Sequence, residues 1–133
     1  MPKLNHPENP VQIAIATFLR MRGFTFTSTQ GGLFISNLRS KALLKSMGYR
    51  KGVSDIIVFV PNGTICIEVK KPAQYRWNIK LGRLVKAEAA GTQSPDQKVF
   101  EKEVTSIAGH TYIVATTVND VEDYFREHNI QPR

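Results

Sequence analysis

The stretch from Gly52 to Lys71, GVSDIIVFVPNGTICIEVKK, limits the fold more than any other part of the chain. Two segments rich in β-branched residues flank Pro61-Asn62-Gly63, and they are apolar at nearly every position. Strands of that kind are stable only when both faces are covered, which calls for a sheet with helices packed on it. An Asn-Gly pair is a strong hairpin signal, because a type I′ turn needs positive φ at both central residues. With Asn62-Gly63 as the loop, Pro61 faces Thr64, Val60 faces Ile65, Phe59 faces Cys66, Ile57 faces Glu68 and Asp55 faces Lys70. Paired residues share a face of the sheet and side chains alternate along each strand. Asp55, Glu68 and Lys70 therefore project from one face, with the two carboxylates as diagonal neighbours roughly 7–8 Å apart at the backbone. Ile56, Val58, Val60, Ile65, Ile67 and Val69 make the other face, an uninterrupted core surface.

Charge at the end of such strands is costly unless the groups pair with one another or hold a cation. Two carboxylates with one ammonium beside them suit Mg²⁺ or Mn²⁺, whereas zinc favours histidine or thiolate. An ion so held can polarise a phosphodiester and acidify a water, while Lys70 orients that water or offsets phosphate charge. The competing reading is plain: strand ends meet solvent, and Asp55 opposite Lys70 can be an ordinary cross-strand ion pair.

Elsewhere, Val11, Ala14, Ile15, Phe18 and Leu19 recur at helical spacing between Pro7 and Arg22, and Gly23 follows as a C-terminal glycine. Phe24 and Phe26 alternate with Thr25 and Thr27; Gly31-Gly32 breaks that run and Leu33 to Ile35 resumes it, as a hairpin or a strand with a long turn. A short helix is expected from Asn37 to Met47. Ala73 to Gln93 reads as a long basic loop or irregular excursion, with a strand possible only around Leu81 to Val85. Ser94-Pro95-Asp96-Gln97 is a helix start, with Ser94 as N-cap and Gln97 closing a capping box. That helix is expected to reach about Ala108, followed by a strand from Thr111 to Ala115 and a last helix from Asn119 to His128, capped by Asn119. The sum is one α/β domain over residues 1–133, a central mixed sheet flanked by helices on both faces.

At 133 residues the chain has room for one core. Its formal charge of +7 favours a polyanionic partner or an anionic membrane surface. Cys66 is the single cysteine, which excludes an internal disulfide framework and fits a reducing compartment. The N-terminal segment lacks an apolar signal core and no apolar run is long enough to span a bilayer, so a soluble cytoplasmic protein, bacterial or in a phage-infected host, is expected. His6, His110 and His128 show no ligand spacing.

Asp55 followed across a hairpin by Glu68-Val69-Lys70, behind an N-terminal helix, resembles the PD-(D/E)xK nuclease superfamily. More narrowly, RKGVSDIIVF, CIEVKKP and SPDQKVFEKEV in this order look like the VRR-NUC domain, a virus-type replication-repair nuclease module, over about Glu8 to Ala115. The resemblance implies a restriction-endonuclease-like fold, with Asp55, Glu68 and the Val69 carbonyl as ligands of Mg²⁺, for which Mn²⁺ can substitute, and Lys70 as the catalytic lysine. It also implies Glu8 as an accessory acid and Gln97 as a site-lining residue. Both have structural alternatives, since Glu8 suits a helix N-terminus and Gln97 suits a cap. Where the family commonly has proline before the Asp, this chain has Ser54.

Lys45, Arg50, Lys51 and Lys71 surround the acidic centre, and Arg76, Lys80, Arg83 and Lys86 mark the basic excursion. Cations so placed suit a phosphate-backbone track, the alternative being a solvated basic surface. Trp77 can stack on a base or pack the excursion onto the domain. The implied activity is an endodeoxyribonuclease leaving 5′-phosphate and 3′-hydroxyl ends. By resemblance its substrate is branched DNA, cut by a homodimer as in Holliday-junction resolution during recombination and repair. The rivals are the same chemistry on flap or duplex DNA, and a non-catalytic nucleic-acid-binding module; no organic cofactor and no membrane are expected.

Overall fold

The computed structural model describes residues 7–29 and 38–133. Leu33 to Ile35 and His6 lie outside the described residues, as does Asn37. The elements run α1 (Glu8–Met21), β1 (Thr25–Ser28), α2 (Leu38–Ser46), β2 (Ile56–Val60), β3 (Gly63–Val69), β4 (Gln74–Asn78), β5 (Arg83–Glu88), α3 (Pro95–Thr105), β6 (His110–Ala115) and α4 (Val118–Glu127). Strands β1, β2, β3 and β6 form one sheet in that order, antiparallel at the first two junctions and parallel between β3 and β6. The fold is thus α/β with a mixed sheet. No helix among the described residues is long and apolar enough to cross a membrane.

The apolar face of the hairpin is the core, as its pattern predicts. Ile56, Val58, Ile65, Ile67, Val69 and Ala115 are buried against Ile15 and Leu19 of α1 and Val121 and Phe125 of α4. Phe125 anchors this layer, with its ring 5.0 Å from Phe24 and 5.8 Å from Phe18 in edge-on contacts. Each such aliphatic side chain stabilises the fold by about 1.5–3 kcal/mol. Helix α3 crosses the opposite face, where the Phe100 ring meets Tyr112 at 6.2 Å; α3 itself buries no residue completely.

The turn differs from expectation. Val60 pairs with Gly63 and Ile57 with Cys66, so the loop is Pro61-Asn62 and the register is shifted by two residues. Asn62 does not adopt positive φ, while Gly63 does, at 153°. A type I′ turn at Asn62-Gly63 is therefore absent. Only glycine fits at this point: a Cβ on Gly63 would stand 1.5 Å from the Gly109 carbonyl oxygen, which accepts a hydrogen bond from the Thr64 N–H at 3.0 Å. Gly63 is where the chain entering β6 crosses the hairpin. A one-residue slip would have exchanged the two faces, but a slip of two preserves them.

Three further expectations need correction. The Ala73 to Gln93 excursion is ordered: β4 and β5 pair as a separate two-stranded ribbon, closed by Gly82 at φ 61° and by the Leu81 N–H donating to Asn78 Oδ1. Strand β5 overlaps the Leu81 to Val85 stretch where a strand is expected, whereas β4, with Tyr75 and Trp77 alternating about Arg76, is not expected. Helix α3 ends at Thr105, before Ala108, with Ser106 as its C-cap. Helix α4 is capped by Thr117 in place of Asn119, because the Thr117 side chain accepts from the Asp120 N–H while the Asp120 carboxylate accepts from the Thr116 and Thr117 N–H groups. The expected box at Ser94 and Gln97 and the glycine after α1, Gly23 at φ 78°, are both present.

Candidate active site at the strand ends

Asp55 precedes β2 and Glu68 is the penultimate residue of β3. Continuing the observed register brings them opposite one another, closer than the diagonal placement the type I′ loop would have given. The Asp55 backbone is fixed from the β1 side, where the Thr29 N–H donates to its carbonyl at 3.0 Å and the Thr29 hydroxyl donates to the Ser54 carbonyl. Its carboxylate accepts a hydrogen bond from the Val69 N–H through Oδ2 at 2.7 Å. Ser54, fully buried, stands where the resemblance expects proline, and its hydroxyl donates to the Ile56 carbonyl.

Glu68 is only 2% exposed. Its Oε1 accepts from Gln97 Nε2 at 2.5 Å and lies 3.5 Å from Lys70 Nζ, whereas its Oε2 is buried with no hydrogen-bond partner among the described residues. Burial, then the nearby charge of Asp55, pushes the Glu68 carboxyl up to about 8, against the opposing pull of Lys70. Burial also raises the Asp55 carboxyl, partly offset by its bond from the Val69 amide. Glu8, at the start of α1, lies close enough for its charge to raise both. Folding thus concentrates acids whose ionisation is mutually unfavourable, and leaves one buried oxygen unanswered.

Gln97 closes the cap and also reaches Glu68. Its Oε1 accepts from the Ser94 N–H at 2.8 Å to close the capping box, and its Nε2 donates to Glu68. The cap therefore holds the amide at the carboxylate. The approach loop is pressed against the same turn: a Cβ on Gly52, at φ 87°, would fall 2.4 Å from the Asp96 carbonyl oxygen.

Asp55, Glu68, Lys70, Glu8 and Gln97 are therefore brought together, while the cations spread around them. Lys45 and Lys51 are exposed near the end of α2 and the following turn. Arg50 is engaged with Glu103 at 2.5 Å and lies over the Phe100 ring, and Lys71 is paired with Glu88. Arg76, Lys80, Arg83 and Lys86 all stand on the ribbon of β4 and β5 and its tip.

One site residue was missed. Tyr112 pairs with Cys66 on the site face, and burial, with Glu68 and Glu101 nearby, pushes its phenol above the usual range against the opposing pull of Gln93. Its place in an alternating strand of HTYIVA was the available signal. A cleft of about 410 Å³ between the ends of α1 and α4, lined by Phe18, Phe24 and Phe125, contains none of these carboxylates.

Among the described residues no three His, Cys, Asp or Glu side chains are grouped as a ready cation cage. The donor set still fits a hard cation: Asp55 and Glu68 converge, both carboxyls are raised, and Glu68 Oε2 is an orphaned buried oxygen. Such a site would be completed by main-chain, water and substrate oxygens, the habit of Mg²⁺ at phosphate-processing centres.

No family model matches the chain, and no curated protein matches it. Among solved structures, one described as "VRR_NUC domain protein" superposes with a TM-score of 0.64 at 17% sequence identity, covering 92% of this chain and 88% of that one. The likeness supports a restriction-endonuclease-like fold.

Proposed function

We propose that this chain is a metal-dependent nuclease that hydrolyses phosphodiester bonds in DNA, with branched DNA as its substrate. The single observation that carries the reading is Glu68: a carboxylate buried at a strand end, raised to about 8, with Asp55 opposite and one oxygen unpartnered. A purely structural ion pair would match its charges, whereas here Asp55 and Glu68 share the one ammonium of Lys70, and the charge of Glu8 acts on both carboxyls. The structural neighbour's description names a VRR-NUC domain, which supports the same direction.

Asp55, Glu68 and the Val69 carbonyl would hold a Mg²⁺ or Mn²⁺ ion. Bound there, the ion would supply positive charge to the scissile phosphate and a more acidic water. The remaining work belongs to the chain. Lys70 is largely buried but not closed off, and its ammonium can donate to the attacking water or a phosphate oxygen. Gln97 keeps Glu68 aimed by occupying Oε1, which would leave Oε2 for an ion. Glu8 adds negative charge that draws a cation in, and the surrounding lysines and arginines position the polyanion without reading its sequence. Two strands at a junction require two such sites, hence a homodimer.

The test is cleavage of end-labelled four-way junction, flap, single-stranded and linear duplex DNA by the wild type and Asp55→Asn, with Mg²⁺, Mn²⁺ or EDTA. Junction cutting that needs the ion and disappears in Asp55→Asn is the expected result. Unimpaired, salt-sensitive binding by both proteins without cleavage would make the chain a binding module instead.

A further inference from the structure

The ribbon of β4 and β5 takes no part in the main sheet. A two-stranded ribbon is marginal by itself in water, and this one is tied down at its base by the Lys71 and Glu88 ion pair and by the Gly91 N–H donating to the Lys71 carbonyl. Pairing of Tyr75 with Lys86 and of Trp77 with Leu84 places these four side chains on one face. Arg76, Arg83 and Val85 share the other. Trp77 is 62% exposed and Tyr75 57%. Neither ring makes an aromatic or cation contact among the described residues, and Arg76, Lys80, Arg83 and Lys86 have no ion-pair partner there.

A large aromatic face left in water needs an occupant. A second copy of the ribbon would offer apolar area but would bring a second Lys86 to the same face and leave Arg76 and Arg83, on the reverse face, without a counter-charge. A nucleic acid offers both complements at once, since phosphates answer the cations and every base has a face on which an indole can stack. Paired bases inside a duplex are already stacked, so the aromatic face selects bases that are unpaired.

We propose that the β4–β5 ribbon is a wing that recognises unpaired bases at a branch or gap, stacking them on Trp77 and Tyr75 while Arg76 and Arg83 on its reverse face hold phosphates of the flanking strand. This deepens the nuclease reading by naming the feature of the substrate that is recognised, and it rests on that reading only for where the cut falls. Trp77 follows Lys70 by seven residues. The backbone can span at most about 25 Å over that interval, so with the reach of the two side chains the cut lies within roughly ten base pairs of the stacked base.

Trp77 is the chain's single tryptophan, so its emission reports the wing directly. Wild-type protein in EDTA, which prevents cutting, is titrated with oligo-dT, a gapped four-way junction and a blunt duplex, with occupancy followed by anisotropy of a label on the DNA. Emission is expected to quench with the first two and to stay unchanged with bound duplex. Trp77→Ala should weaken the first two about 5- to 150-fold, corresponding to one lost stacking contact, and duplex binding less than 2-fold; Trp77→Phe should restore most of the loss. Unquenched emission on saturated oligo-dT, or equal weakening on duplex, overturns the proposal. So does emission that changes with protein concentration without DNA, which would make the ribbon a self-association surface. Failure of the nuclease reading is separately visible, because the quenching requires neither an ion nor cleavage.

Discussion

Replacing Glu68 by Gln should stabilise the metal-free protein, and by an amount that depends on pH. Burial and Asp55 hold the Glu68 carboxyl at about 8 in the folded chain against an ordinary 4.5. Ionising it there is about 5 kcal/mol costlier than in the unfolded chain. Between these two values the unfolded state has lost the proton that the folded state keeps, so stability falls as pH rises, by up to about 1.4 kcal/mol per unit. The penalty is absent below pH 4.5 and complete above 8. Gln keeps the shape and the acceptor for Gln97 but has no proton to lose. Urea unfolding in EDTA at pH 5, 6.5 and 8 should therefore show Glu68→Gln nearly level with wild type at the lowest pH. At the highest pH its midpoint should be higher by on the order of 2 M. Asp55, raised in the same direction, leaves a shallower slope in both proteins. Magnesium should close the gap at pH 8 by stabilising only the wild type. A difference that stays constant across the three pH values would show that Glu68 is not held protonated by burial.

The double duty of Gln97 separates two variants: Ser94→Ala should cost about 0.5–2 kcal/mol of stability with little effect on cleavage, while Gln97→Glu, which retains the capping acceptor, should keep stability below pH 8, where protonated Glu68 can donate to it, and reduce cleavage at least about 10-fold. Parallel changes in urea midpoint and kcat would contradict that division. Gly63→Ala should destabilise by roughly 3 kcal/mol through its collision with the Gly109 carbonyl, read as a thermal or urea midpoint; a neutral result would mean that the crossing is looser than described. Ile67→Ala, at a fully buried position between α1 and α4, should cost about 2–5 kcal/mol in the same assay without changing which carboxylates ionise.

Much of this molecule follows from alternation, which is a local property. The period of two in Ile56 to Val69 assigns one face to the core and places Asp55, Glu68 and Lys70 together on the other, and that assignment survives the two-residue change in register. The Ser-Pro-Asp-Gln start of α3 and the glycine after α1 are local too, because capping needs only neighbouring backbone. What the tertiary structure decided depends on chain segments far apart. The hairpin register differs by two residues from what Asn62-Gly63 would favour alone, and the close approach of Gly109 to Gly63 exists only after the crossover through α3. The same crossover carries Gln97 to Glu68 across 29 positions of sequence and places Tyr112 beside it. The raised carboxyls are likewise not a property of an Asp or a Glu in the sequence: they come from withdrawing both from water at one point, and only the packed sheet and helices can do that.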